Sequence, residues 1–74
     1  MKKTYKLRDL DCANCAAKME RNINKLPSVT NATVSFMTQR LSIECPDDTD
    51  LDALMREVVR VIAKVEPDCE VVLK

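Results

Sequence analysis

Apolar and polar residues alternate along the first ten positions: Tyr5 and Leu7 fall on one side, Lys6 and Arg8 on the other. That period of two predicts a half-buried strand over residues 3–8, continuing towards Leu10. The period then changes. Cys15, Ala16, Met19, Ile23 and Leu26 recur at helical spacing from Asn14 to Leu26, with Lys18, Arg21 and Lys25 opposite. Pro27 ends that helix, because proline disfavours helical geometry in the residue before it. Ala32, Val34 and Phe36 alternate with Thr33 and Ser35, and Leu41, Ile43 and Cys45 with Ser42 and Glu44. These are two more strands, joined across Met37–Arg40 by a short hairpin. Thr49 or Asp50 can cap a second helix, whose apolar stripe is Leu51, Leu54, Val58, Val61, Ile62 and Val65. Pro67 and Asp68 break it, and residues 70–73 form a last strand. The order βαββαβ predicts an α+β, ferredoxin-like sandwich with two helices on one face of a four-stranded antiparallel sheet. Residues 1–74 form a single domain.

This topology sorts the loops between two ends. The exit of the first strand, the hairpin near Thr38 and the turn into the last strand share one end. The turns near Pro27 and Pro46 share the other. Cys12 and Cys15 therefore stand at the same end as Cys69, while Cys45 points away and reads as a core or partly exposed residue.

Composition removes whole classes of function. The chain has no Gly, no His, no Trp, one Phe and one Tyr. Without Gly there is no phosphate-cradling loop. Without His there is no Ser-His-Asp or Cys-His catalysis, and no metal site built on imidazole. Two aromatics offer no stacking platform, and a net charge of zero offers no general attraction to nucleic acid. The charge is uneven along the chain: residues 1–40 hold eight basic and three acidic groups, residues 41–74 four basic and nine acidic. The two halves read as solvated faces that attract each other across one domain, with charge complementarity for a docking partner as the alternative. No stretch approaches the roughly 18 apolar residues that span a bilayer, and no secretory leader follows Met1. A soluble, cytoplasmic, monomeric unit with reduced thiols is expected.

What remains is sulfur. Cys12-Ala13-Asn14-Cys15 lies between the first strand and the first helix, and two intervening residues let both sulfurs turn onto one ion. The positive helix end is expected to favour thiolate at Cys15. Spacing alone leaves three readings: a metal pair, a redox dithiol, or a structural coincidence. The chain is short for a thioredoxin-like dithiol protein, and Cys45 and Cys69 do not form a second close pair.

The run Asp11-Cys12-Ala13-Asn14-Cys15-Ala16 after a strand, the Met19, Ile23, Leu26, Val29 and Val34 pattern and the βαββαβ order together resemble a heavy-metal-associated domain. That module is found as soluble copper chaperones and as cytosolic N-terminal domains of heavy-metal P-type ATPases. The resemblance covers essentially the whole chain. It implies that Cys12 and Cys15 are metal thiolates and that Leu10 packs beneath their loop. It also points to one branch, because Asp11 resembles the zinc, cadmium and lead exporters, where copper members commonly carry Thr or Ser. Charge agrees: a divalent ion with two thiolates and a carboxylate keeps one net negative charge, whereas Cu(I) in the same set carries two and gains a hard oxygen it does not want. One Zn(II), Cd(II) or Pb(II) ion is therefore expected in preference to Cu(I), with Cys69 a candidate third thiolate. The implied partner is a membrane-embedded ATPase core in the same chain or a partner transporter, with no nucleic acid and no membrane insertion by this segment. A free-standing copper or zinc chaperone is the alternative, and a dithiol oxidoreductase a more distant one. Asp9 and Ser28 stand where the family usually has Gly, so strain is expected at either if its φ is positive.

Overall fold

In a computed structural model, residues 1–73 are described. The elements are β1 (Lys2–Arg8), α1 (Ala13–Asn24), β2 (Asn31–Ser35), β3 (Arg40–Glu44), α2 (Leu51–Val65) and β4 (Glu70–Val72). The sheet is antiparallel throughout, in the order β2-β3-β1-β4. This is the expected ferredoxin-like arrangement, with two helices packed on a four-stranded sheet.

The period-two pattern decides what each strand buries. Leu7, Ala32, Val34, Leu41 and Ile43 meet Ala16, Met19 and Ile23 of α1 and Leu54, Met55, Val58 and Ile62 of α2. Met19, Ile23, Leu41, Ile43 and Val58 are fully enclosed. Truncating one of these larger side chains to Ala costs about 2–5 kcal/mol, a large share of the stability of so small a domain. Among the described residues, no buried side-chain nitrogen or oxygen lacks a partner.

Several boundaries depart from the sequence reading, and helix α1 already starts at Ala13 rather than Asn14. Helix α1 ends at Asn24 rather than Leu26: Lys25 and Leu26 bond back only three residues, to Asn22 and Ile23, as the last turn tightens before Pro27. Strand β2 stops at Ser35, so Phe36 lies in the turn, 37% exposed, rather than on the buried face. Cys45 lies just past β3 and is buried, its amide bonded to the Met1 carbonyl.

Helix α1 also closes one sheet edge. Asn24 accepts the Ala32 amide at 2.8 Å and donates to the Ala32 carbonyl at 3.0 Å, while Glu20 accepts the Val34 amide at 2.9 Å. Outward-facing groups of β2 are thereby occupied, which blocks strand addition there.

Without glycine, two ordinary residues take left-handed backbone: Asp9 at φ 60° and Gln39 at φ 55°. Asp tolerates that region through its short polar side chain, and Gln does not share the advantage. The cost is about 1 kcal/mol each relative to Gly. Ser28 has no positive φ, so the strain expected at the family's usual glycine positions falls on Asp9 alone.

Candidate metal centre

The thiol loop is built by the start of α1. Cys12 is the N-cap, extended at φ −138° and ψ 122°, and its Sγ accepts the Cys15 amide at 3.4 Å. Its carbonyl accepts the Ala16 amide at 3.0 Å and opens the helix. Leu10, two residues earlier, is 2% exposed, as expected for an apolar anchor under the loop. Both thiols are half-buried, and all four cysteines are free.

The two thiols are not equivalent, and the order is the reverse of the sequence expectation. The Cys15 amide, bonded to Cys12 Sγ, pulls the Cys12 thiol below its ordinary pKa. Cys15 is pushed up to about 11, first because it shares its proton with Cys12, then through desolvation and the neighbouring Glu66 carboxylate. The helix end therefore favours thiolate at Cys12, because that sulfur occupies the cap and faces the free amides.

Glu66 is the residue that sequence reasoning did not place at the site. Cys15 Sγ donates to Glu66 Oε2 at 3.6 Å. Glu66 is the C-cap of α2, and its amide bonds the Ile62 carbonyl at 2.8 Å. Its own carbonyl accepts the Cys69 amide at 3.1 Å, closing the turn through Pro67 into β4. Acids are disfavoured at the negative end of a helix. A Glu immediately before the terminating Pro67 was a signal in the sequence, although it could not name Cys15 as the contact.

Cys69 is buried at the start of β4. Burial raises its pKa, and the charges of Glu66, Asp9, Asp11 and Glu70 raise it further, which places Cys69 within the field of the acidic end. Asp11 is exposed. Cys12 and Cys15 are joined by their hydrogen bond; among the described residues, no three Cys, Asp or Glu side chains already stand as a group able to hold an ion. The end is thus a half-buried thiol pair in an acidic surround. Such a surround attracts cations, and two sulfurs supply soft donors. Met37, 88% exposed, and the buried Met55 are surface and core residues respectively. A groove of about 810 Å³ lined by Tyr5, Leu51, Met55, Arg56 and Leu73 contains no thiol and lies apart from this chemistry.

The family model for the heavy-metal-associated domain matches residues 4–68. The chain belongs to that family. A heavy-metal-associated domain recurs within larger proteins, and relatives include a cadmium, zinc and cobalt-transporting ATPase of Helicobacter pylori, 34% identical over 53 residues covering 72% of this chain and 8% of that protein. A probable copper-importing P-type ATPase of Enterococcus hirae is 37% identical over 46 residues, covering 62% of this chain and 6% of that protein. The domain thus spans under a tenth of these relatives' length. Among solved structures, the CopZ metallochaperone superposes with a TM-score of 0.74 at 18% identity, over 97% of this chain and all of that one, a likeness of fold. No helix of the described residues is long and apolar enough to cross a membrane.

Proposed function

We propose that this heavy-metal-associated domain binds one Zn(II), Cd(II) or Pb(II) ion through Cys12 and Cys15, with Asp11 supplying a carboxylate and Cys69 a third sulfur. The observation that carries the reading is the acidic surround of the thiol pair: Glu66 touches Cys15, and the charges of Glu66, Asp9, Asp11 and Glu70 all reach Cys69. A divalent ion offsets that charge better than Cu(I) does, and Asp11 gives it an oxygen donor.

The ion is cargo. It would arrive at an exposed loop, meet Cys12 as thiolate, and displace the proton that Cys15 shares with Cys12 and Glu66. An open thiol pair permits exchange through shared-ligand intermediates, which a closed structural cage would oppose. In this reading the domain is a cytoplasmic, monomeric regulatory or delivery module of a heavy-metal-exporting P-type ATPase, and transport chemistry belongs to the membrane core. The family's copper-transporting members and the chaperone fold support a second reading, a free-standing copper or zinc metallochaperone.

Spectroscopic titration of the reduced domain with Cd(II) tests the ligand set. Sulfur-to-Cd(II) charge-transfer absorption should saturate at one ion per chain and weaken by about a third in Cys69→Ser, as expected when absorption scales with the number of thiolate ligands. An unchanged spectrum in that variant would confine the site to Cys12, Cys15 and oxygen.

A further inference from the structure

We infer that Gln39, in the hairpin between β2 and β3, is a positioning residue for the thiol loop, clamping it through the backbone of Leu10. This rests on the metal reading above. Gln39 Oε1 accepts the Leu10 amide at 3.1 Å, and Gln39 Nε2 donates to the Leu10 carbonyl at 2.7 Å. One side-chain amide thus satisfies both polar groups of one backbone residue, as a neighbouring strand would. The same Nε2 donates to the Phe36 carbonyl at 3.0 Å, which fixes the amide against its own turn. The Gln39 carbonyl accepts the Leu7 amide at 2.7 Å, so the residue grips the chain on both sides of Asp9.

The surroundings show why a clamp is needed here. Beyond β1 the chain passes through Asp9, in left-handed backbone without glycine. Leu10 follows with its side chain buried, and Cys12 begins the helix two residues later. Among the described residues, Gln39 is the group that bonds the Leu10 amide and carbonyl. Gln39 is itself held at φ 55°, a conformation that gives Gln no local advantage. The contact with Leu10, 29 residues away in sequence, supplies the compensating reason for its geometry.

A loop held in place before the ion arrives loses less freedom on binding, and residues that orient metal-ligating segments typically contribute about 10–100-fold to affinity. Two substitutions separate positioning from stability. Gln39→Ala removes the clamp and keeps a Cβ in left-handed backbone. Gln39→Gly removes the clamp and relieves that backbone, so it should be the more stable of the two. Both should lower Cd(II) affinity by about 10–100-fold in chelator competition. Both should also speed Leu10 amide hydrogen exchange in the metal-free domain by at least about tenfold. Wild-type affinity in Gln39→Gly, or Leu10 exchange unchanged in either variant, would overturn the clamp. Failure of the unaltered chain to bind Cd(II) would overturn the metal reading and the functional half of the inference with it. Leu10 exchange would still decide the structural half.

Discussion

Both helices open on a side chain that accepts the amide three residues on, yet α2 uses an oxygen of Asp50, at 3.3 Å from Ala53 N, and α1 a sulfur of Cys12, at 3.4 Å from Cys15 N. Helix α2 adds Asp52 in its first turn, whereas α1 has no acid there. The first arrangement is what stability alone selects: a good capping oxygen and a negative charge against the positive helix end. The second gives up both. Its amides and its dipole act on a thiol, and the outcome is a cysteine with lowered pKa beside one raised to about 11. A cap that is weak for stability and strong for thiolate chemistry marks the end of the molecule where the proposed metal site lies.

Exchanging the two kinds of cap should separate the two roles. The largest effect is expected from Cys12→Ser, which turns α1 into an oxygen-capped helix. Ser is a preferred N-cap, so stability in urea should change by less than about 0.5 kcal/mol or rise. Metal affinity should fall by at least about a hundredfold, because one of the two thiolates of the proposed Cys12–Cys15 pair is gone. Equal loss of stability and affinity would mean that the sulfur is mainly a cap. Asp50→Ala should do the converse, costing about 1 kcal/mol of stability by urea melt and leaving metal affinity unaltered.

The smallest effects sharpen the difference between the thiols. The pH profile of Cys15 alkylation should place its half-maximal rate near the value of about 11 in the unaltered chain. The largest cause of that elevation is Cys12, so Cys12→Ser should bring the Cys15 pKa down furthest, and Glu66→Gln by less. The reverse ranking would make the carboxylate the principal holder of the Cys15 proton. Since Cys15 is protonated at neutral pH and metal requires thiolate, Cd(II) affinity should rise with pH from 6.5 to 8.5, by about tenfold per unit for each proton released. A flat profile would show that no proton leaves.

The hydrophobic periods and the proline stops made the architecture legible. Helix α2 occupies residues 51–65, as its stripe and the Asp50 cap indicate. What the sequence concealed is what depends on non-local contact. Helix α1 starts at Ala13 rather than Asn14, and that single residue makes Cys12 the cap and reverses which thiol is acidic. The left-handed backbone at Gln39 had no local signal, because its reason is Leu10 in another loop. Glu66 reaches Cys15 across 51 positions, where no periodicity reports on contact. Phe36 continued the alternation of β2 on paper, but the turn begins before it.

The proposed preference for a divalent ion draws on the acidic surround and on the oxygen donor of Asp11, exposed immediately before the cap. Competitive titration of the reduced domain and its Asp11→Ala variant, with Cd(II) and with Cu(I) against chelators of known affinity, tests that preference directly. If Asp11 is a ligand for the divalent ion, Cd(II) affinity should fall by about tenfold or more while Cu(I) affinity stays within about twofold, since Cu(I) is content with two thiolates. An equal loss for both ions, or no loss for either, would contradict the assignment of Asp11 and leave the domain without a divalent preference from that residue.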